Sequence, residues 1–414
     1  MNYLAILFLF ILPISSLANL STDDKLRLII NLNKLHPKDC SSNQYPSISS
    51  REVELGKLFF DTVLLSGDKD TSCKTCHLDN FGSTDGLPIS VGVGGAGENI
   101  ERYEDGRGIL VQRNSFSLFG RAHVGFKNYF WDGKLDTNNN GRIISQLGDL
   151  ISDTFEAPLS VASVLPLLER DEFLGRKTIL HENKLQKAVG DKLYFQRYLA
   201  ISKALRERIN NDSDARELKE GLISIGINPK KIELAHIGNL IGKFISDKFR
   251  CQASPWDSYL MGNLGALSHD QKKGAILFFG KGRCSNCHSG ELFSDFSFHS
   301  IAVPQGIFGP HSRHRDLGRA AVTLEQEDLF RFRTPPLLGV SKTAPYGHNG
   351  IFSTLNEIVV HHINPIEFFL TEDNAKYNTL PYGKILNTRD PILTSISITS
   401  DEEINQLLKF LHAL

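Results

Sequence analysis

Two short cysteine–histidine runs carry the clearest chemical signal in this sequence. The first is Cys73-Lys74-Thr75-Cys76-His77, and the second is Cys284-Ser285-Asn286-Cys287-His288. In such a C-x-x-C-H run each thiol can add to a vinyl group of a haem, and the adjacent histidine can bind the iron from one face. One copy could be chance, a redox dithiol or half of a zinc site. Two copies in a chain with six cysteines predict two covalently attached c-type haems.

The beginning of the chain resembles an export signal. Residues 4–12 form a short apolar run, and the following residues 15–18 include the small side chains that a signal peptidase recognises. We therefore interpret residues 1–18 as a signal peptide, although no Lys or Arg precedes the apolar run; a retained membrane anchor is the alternative. Export to the periplasm would also allow Cys40 and Cys251 to form a disulfide, although the sequence does not show whether they pair.

The overall composition excludes several other classes of protein. The chain of 414 residues is long enough for two domains, and its net charge of -1 gives no indication of nucleic-acid binding or of adhesion to anionic lipid. Beyond the signal peptide, no stretch is apolar enough to span a bilayer. Strand-like alternation of polar and apolar residues is scarce, so the sequence predicts a mainly α fold.

A similar helix-forming segment precedes each cysteine run. Residues 50–60 are predicted to form a helix with Ser50 as its N-cap, and Ser268 can cap a second helix. Each segment has one glycine followed by an apolar stretch that ends in two phenylalanines: Gly56 with Phe59 and Phe60, and Gly274 with Phe278 and Phe279. This weak repeat predicts two related, cytochrome c-like haem domains with long connecting loops, an N-terminal one over residues 19–255 and a C-terminal one over residues 256–414.

Several further motifs occur in a recognisable order between the runs and after them. They are Asp85-Gly86-Leu87-Pro88, Arg113-Asn114-Ser115, Phe130-Trp131-Asp132-Gly133, Asp316-Leu317-Gly318-Arg319, Phe332-Arg333-Thr334-Pro335, Thr343-Ala344-Pro345-Tyr346 and His348-Asn349-Gly350. Together with both haem runs they resemble the bacterial di-haem cytochrome c peroxidases and their MauG-like relatives. The resemblance extends from about Glu52 to His362 and is least clear from about 160 to 230.

This resemblance implies a periplasmic enzyme that reduces hydrogen peroxide at the N-terminal haem. Electrons would arrive from a small c-type cytochrome or a cupredoxin and would be relayed through the C-terminal haem. In a MauG-like alternative, the enzyme uses peroxide to oxidise side chains of a partner protein. A third alternative is a di-haem electron carrier without catalytic activity.

The second axial ligand of the C-terminal haem is predicted to be a histidine. Methionine is common at this position in electron-transfer cytochromes, but the chain has only Met1 and Met261. Met1 leaves with the signal peptide, and Met261 is better explained as a core or surface residue. Alignment of residues 354–362 with the family's helix that carries the distal Met or Tyr places His362 at the ligand position. The neighbouring His361 would point about 100° away on a helix, so it is the weaker candidate. The alternative is that both histidines are exposed to solvent and bind no iron.

The N-terminal haem is predicted to have an open sixth position. The peroxidase pattern has a histidine shortly after the Asp-Gly-Leu-Pro motif, and in many members this histidine binds the iron until the enzyme is reduced. The matching residue here is Val93, which cannot bind iron. The resemblance to the MauG-like branch therefore implies an iron at His77 that is open in the resting protein and needs no reductive activation.

The resemblance also implies roles for individual residues near the N-terminal haem. Glu156 matches the distal glutamate, which would move the peroxide proton as base and then as acid. Alternatively, Glu156 is only a surface residue before a proline turn. Asp149 and Asp153 are the nearest acidic residues in the sequence that could have the same role. Trp131 matches a residue that lies between the two haems and would shorten the electron path, whereas a buried core Trp is the alternative.

A calcium site between the domains is the last expectation from the resemblance. Asn114, Thr343 and Pro345 match positions that supply oxygen ligands to this ion, and calcium accepts amide, hydroxyl and backbone carbonyl oxygens. Each residue alone would be unremarkable in a turn or loop. His348 is expected near the second haem without an assigned role.

Overall fold

The computed structural model describes residues 20–41, 45, 48–104, 109–137, 142–148, 151, 154–175, 177, 182–305, 316–367 and 382–414. The predicted signal peptide lies outside these residues. Within the described part of the chain, no helix is both long enough and apolar enough to cross a membrane.

The described residues confirm a mainly α-helical fold. The helices are α1 (Thr22–Asn33), α2 (Ser50–Asp61), α3 (Cys73–Cys76), α4 (Pro158–Val164), α5 (Lys184–Val189), α6 (Tyr194–Asn211), α7 (Arg216–Ser224), α8 (Leu234–Lys248), α9 (Pro255–Leu260), α10 (His269–Phe279), α11 (Ala320–Thr323), α12 (Leu355–Ile363), α13 (Tyr382–Leu386) and α14 (Asp401–Leu411). Two short antiparallel ribbons accompany them, formed by β1 (Leu135–Thr137) with β2 (Ile143–Ser145) and by β3 (Phe298–His299) with β4 (Phe332–Arg333).

The first hydrophobic core forms where α2 packs against α8. Gly56 allows the two backbones to approach closely, because a Cβ atom at this position would collide with the carbonyl oxygen of Leu240 and lie 2.9 Å from the Cβ of Phe244. Helix α2 begins with a capping box in which the N-cap is Ser49, one residue earlier than predicted, and Glu52 is its partner. This core contains Phe59 and Phe60 of the sequence repeat, both of which are buried.

The second hydrophobic core repeats this arrangement where α10 packs against α14. A Cβ atom at Gly274 would collide with the carbonyl oxygen of Gln406 and lie 2.8 Å from the Cβ of Phe410. Ser268 caps α10, as the sequence predicts. Helix α1 also packs against α10 and places Leu26 in this core. The sequence repeat therefore corresponds to a repeated helix crossing, although α1 precedes the first haem run and packs with the second core. The boundary between residues 255 and 256 stays a prediction.

Cys40 and Cys251 form a disulfide with their Cα atoms 5.2 Å apart. The bond connects the segment after α1 to the segment after α8. Because α1 belongs to the second core and α8 to the first, the disulfide lies at the connection between the two cores. The other four cysteines, all in the two haem runs, are not disulfide-bonded.

We expect Gly274→Ala to destabilise the protein by roughly 1–3 kcal/mol, since an overpacked contact must push α10 away from α14. Gly383→Ala is the matched control, because Gly383 also lies in a helix but no atom of the described residues lies within 4 Å of the point that its Cβ atom would occupy. An alanine in such an open helical position is neutral or slightly stabilising. Urea unfolding measures both free energies. Equal stability of the two variants would contradict the close-packed crossing.

Candidate active site

The first haem run forms helix α3, and His77 follows it directly. The Nδ1 atom of His77 lies 2.7 Å from the carbonyl oxygen of Ser83, so Nδ1–H donates to this oxygen and Nε2 keeps its lone pair for a metal. Phe60 and Phe116 surround the imidazole with ring centroids 6.4 and 6.0 Å away. Desolvation in these surroundings lowers the pKa of His77 to about 4 and raises the pKa of the Cys73 thiol to about 12. The imidazole is therefore neutral, which is the form that binds iron.

The second haem run has the same arrangement. The Nδ1 atom of His288 lies 3.1 Å from the carbonyl oxygen of Phe293, which again leaves Nε2 for a metal. Desolvation lowers the pKa of His288 to about 4 and raises the pKa of the Cys284 thiol to about 12. In both runs a backbone carbonyl thus fixes the tautomer and the orientation that an iron ligand needs.

A large cleft surrounds His288 and holds about 1690 Å³ of empty volume, part of which is open to solvent. Its lining is mostly apolar and includes Phe278, Ile301, Val303, Leu337, Leu338 and Val359. Cys284, Cys287 and His362 also line this cleft. The two thiols can attach a haem, the two imidazoles can bind its iron from both faces, and the apolar walls suit the porphyrin. The residues therefore fit a haem held by two histidines.

The structure favours His362 over His361 as the second axial ligand. His362 lies at the end of α12 with its Nδ1 atom 2.7 Å from the carbonyl oxygen of Ile358, which leaves Nε2 for a metal, as in the two haem runs. In contrast, His361 is fully buried, and its Nε2 atom lies 2.9 Å from the carbonyl oxygen of Ile301. His361 also does not line the cleft, whereas His362 does.

Val93, which the resemblance aligns with a ligating histidine of many peroxidases, has a buried side chain. Its backbone N–H donates to the carbonyl oxygen of Glu172 at 3.1 Å, and the next residue, Gly94, donates to Asp70 at 2.6 Å. These bonds hold the segment around Val93 in place, and the open sixth position of the first haem stays a prediction.

Glu156 has a partly exposed side chain with one charged partner. Its side chain is 45% exposed and forms an ion pair with Lys243 at 2.8 Å; Lys243 also pairs with Glu52 at 2.5 Å. The backbone N–H of Glu156 donates to the side chain of Asn239 at 3.1 Å. These contacts connect Glu156 to α8 and, through Lys243, to α2, and its catalytic role stays a prediction. Asp149 and Asp153 lie outside the described residues.

Glu172 is an acidic residue that the sequence interpretation missed. It lies in a π-helical turn, Arg170–Leu174, in the stretch where the family resemblance is least clear. Its charge raises the pKa of both Cys73 and Cys76, which places it near the first haem run. Desolvation raises the pKa of Glu172 itself to about 7. In the sequence, Glu172 is marked only by a second acidic residue before it and by Phe173 and a leucine after it, which is a weak signal for a functional residue.

Trp131 is linked to the surroundings of both haem runs. It lines the cleft around His288, and its Nε1–H donates to the carbonyl oxygen of Asn114 at 2.9 Å. The hydroxyl of the next residue, Ser115, donates to the carbonyl oxygen of Cys76 at 2.8 Å. Two hydrogen bonds and one peptide unit therefore connect this indole to the first haem run.

A buried ion-pair network holds the Trp131 segment in place. Arg113 pairs with Asp132 at 2.7 Å and with Asp316 at 2.8 Å. The two carboxylates raise the pKa of Arg113, and its charge lowers the pKa of Asp132. Phe332 lies under the guanidinium and stacks on His348 with 3.6 Å between ring centroids. His348 lines the second cleft, as expected.

The structure brings together the three residues expected at a calcium site. Asn114 donates from Nδ2 to the carbonyl oxygen of Pro345 at 2.7 Å, and Thr343 lies in the same loop with its hydroxyl bonded to Val340 at 3.0 Å. A reversed amide would turn Oδ1 of Asn114 towards the Pro345 carbonyl, which gives two neutral oxygen donors facing one point. As placed, the Asn114 amide donates to the carbonyl oxygens of Pro345 and Gly347, and calcium binding stays a prediction.

Residues 50–264, more than half of the chain, match the family described as di-haem cytochrome c peroxidase. The chain therefore belongs to this family, which implies two c-type haems and a peroxidase-type oxidoreductase, as the sequence predicts. A relative named cytochrome-c peroxidase IdrP2 from Denitromonas iodatirespirans is 28% identical over 85% of this chain and 82% of its own length.

Two solved structures share the fold. One is a MauG-like protein associated with microbial copper homeostasis, with a TM-score of 0.59, 21% identity, and coverage of 90% of this chain and 92% of that chain. The other is the diheme peroxidase BthA from Burkholderia thailandensis, with a TM-score of 0.60, 19% identity, and coverage of 91% of this chain and 89% of that chain.

Proposed function

We propose that this protein is a periplasmic di-haem peroxidase that reduces hydrogen peroxide at the His77 site with electrons relayed through the His288 site. The supporting observation is the difference between the two sites. His288 shares its cleft with a second histidine, His362, whereas the segment around the first site presents Val93 where a ligand would be. Bound haem supplies the iron that accepts peroxide and exchanges electrons.

Within this proposal, Glu172 is the residue that moves the peroxide proton. A group with a pKa near the working pH can take a proton from one peroxide oxygen and deliver it to the other. Desolvation raises the pKa of Glu172 to about 7, and the backbone carbonyl oxygen of Glu172 accepts at 3.1 Å from the N–H of Val93, the residue that the resemblance places at the open side of this haem. Glu156 is the competing assignment.

Trp131 is proposed to carry electrons between the sites. Its indole lines the second cleft and is hydrogen-bonded to Asn114, next to the residue that contacts Cys76. A calcium ion bound by Asn114, Thr343 and Pro345 would hold this connection rigid.

Export and the electron donor are also part of the proposal. The apolar start of the chain and the Cys40–Cys251 disulfide both suit the periplasm, where disulfides persist. The donor would be a small c-type cytochrome or a cupredoxin that docks over the second haem. The MauG-like alternative, oxidation of side chains in a partner protein, is favoured by Val93 and by two histidines at the second site.

The mature protein is expected to carry two haems through thioethers, at Cys73 with Cys76 and at Cys284 with Cys287. Intact-mass spectrometry after periplasmic maturation measures this number, and acid acetone should extract no haem. A double substitution of Cys73 and Cys76 to Ala should remove one covalent haem and keep the other. A parent protein with fewer than two covalent haems would contradict the proposal.

The substrate is tested by steady-state peroxide consumption with a panel of reduced cytochromes and cupredoxins. Turnover with a small donor supports the peroxidase. No turnover with any donor, together with peroxide-dependent mass changes in a partner protein, would favour the MauG-like alternative instead.

A further inference from the structure

Arg121 is a buried cation for which the described residues provide no carboxylate partner. It is 3% exposed, its Nε–H donates to the carbonyl oxygen of Ser117 at 2.8 Å, and its Nη1 atom has no hydrogen-bond partner among the described residues. Arg333, which is 1% exposed, likewise has a buried Nη2 atom without a partner in this part of the chain. No carboxylate of the described residues acts on the pKa of either guanidinium. The positive charge of Arg121 is therefore not cancelled locally.

The guanidinium of Arg121 is connected to the first haem run through an aromatic ring. It lies over Phe116 at 3.8 Å from the ring centroid, and Phe116 contacts the imidazole of His77 with 6.0 Å between ring centroids. The ring of Phe126 lies 4.9 Å from the same guanidinium. Desolvation is the main cause of the low pKa of His77, and the charge of Arg121 lowers this pKa further. The side chain of Phe116 thus contacts both the cation and the imidazole that would bind the first iron.

We propose that Arg121 raises the reduction potential of the haem at His77 and so favours the arrival of electrons at the first site. This inference rests on the proposed haem at His77. Reduction adds one electron, supplied by the donor through the second site, to the ferric iron and removes one unit of positive charge. A fixed cation nearby therefore favours the reduced form. Arg121 acts through its charge, with no contact to the haem or the peroxide required.

The charge of Arg121 is permanent, and stability does not account for it. Desolvation and the charge of Arg333 lower the pKa of Arg121, but a guanidinium keeps its proton at neutral pH. A buried cation without a carboxylate partner is unfavourable for folding, and its contacts with Phe116 and Phe126 offset only part of this cost. An effect on the neighbouring haem gives the charge a function.

The geometry predicts different effects for three substitutions. Arg121→Met removes the charge and keeps a long side chain against Phe116 and Phe126. At the solution potential where the first haem of the parent is half reduced, its ratio of oxidised to reduced form should rise by roughly 10- to 20-fold, the effect of one charge at roughly 10 Å and an effective dielectric constant of about 20. Arg121→Lys keeps the charge and should stay close to the parent ratio. Arg216→Met is the matched control and should change nothing, because Arg216 is exposed and paired with Glu220 at 2.8 Å.

A redox titration followed by electron paramagnetic resonance measures the ferric signals of the two haems separately in the haem-loaded protein. The signal that is missing when Cys73 and Cys76 are both replaced by Ala belongs to the first haem. Its line shape should be the same in Arg121→Met as in the parent, because the carbonyl oxygen of Ser83 still orients His77. A shifted ratio together with a changed line shape would show that the ligand has moved, which would overturn the role of the charge.

The outcomes separate this inference from the proposed function. A parent protein without haem at Cys73 and Cys76 would contradict the proposed function itself. If the haem is present but Arg121→Met keeps the parent ratio, or Arg121→Lys shifts as far as Arg121→Met, the inference about Arg121 is overturned and the peroxide proposal stands. Should Arg121→Met fail to bind the first haem, Arg121→Gln removes the same charge and decides. Loss of this haem from both variants would show a structural role and would also overturn the inference.

Discussion

Glu172→Gln is expected to slow cleavage of the peroxide bond by roughly 10²–10⁴-fold, the usual contribution of general acid–base catalysis. Gln is close to Glu in size and cannot take up the proton, so packing in the π-helical turn should be preserved. The measurement is the stopped-flow rate of the haem absorption change after mixing with hydrogen peroxide. Haem content and thermal stability should match those of the parent.

Glu156→Gln is the matched control for this prediction. Glu156 is partly exposed, and the buried Lys243 keeps Glu52 as its other partner, so Glu156→Gln should change the cleavage rate by little if Glu172 moves the proton. The reverse result, with a slow Glu156→Gln variant and an unaffected Glu172→Gln variant, would restore Glu156 as the acid–base residue.

His362→Ala is expected to convert the second haem from low-spin to high-spin. Its Nε2 atom is oriented for the iron by the bond from Nδ1 to Ile358, and removal of the imidazole leaves this haem with His288 alone. The resting parent should show one high-spin and one low-spin ferric haem, and His362→Ala should show two high-spin haems. Electron paramagnetic resonance of the resting protein measures both.

His361→Ala provides the comparison, since it removes the neighbouring imidazole from the same helix. Because His361 is bonded to Ile301 and does not line the cleft, the second haem should stay low-spin in this variant. A high-spin second haem in His361→Ala would identify His361 as the second axial ligand. An unchanged low-spin signal in His362→Ala would show that His362 is not this ligand.

Local signals predicted the haem runs and the helices that precede them. A C-x-x-C-H run is contiguous, and the repeated Gly and Phe-Phe pattern lies within single helices. Both can therefore be recognised from residues that are close together in the sequence. The structure adds the physical reason for the pattern: Gly56 and Gly274 each allow a close helix crossing. The predicted N-cap at Ser50 was wrong by one residue, because Ser49 and Glu52 together form a capping box.

Features that depend on packing between distant parts of the chain could not be predicted from the sequence. Glu172 reaches the first haem run through a turn far along the chain, where no periodicity or spacing indicates its neighbours. Likewise, Cys40 and Cys251 are 211 residues apart, and only the folded chain shows that they pair. Lys134, whose charge lowers the pKa of Glu172, belongs to a different segment of the chain.

The resting protein is expected to react with peroxide at the His77 haem without prior reduction, because Val93 provides no ligand to this iron. A direct measurement mixes fully oxidised, never-reduced mature protein with one equivalent of hydrogen peroxide and follows the peroxide that remains over time. Peroxide should be consumed by the oxidised protein, and His77→Gly should abolish this consumption. Peroxide that persists until the second haem has been reduced would show that the first haem is closed in the resting protein.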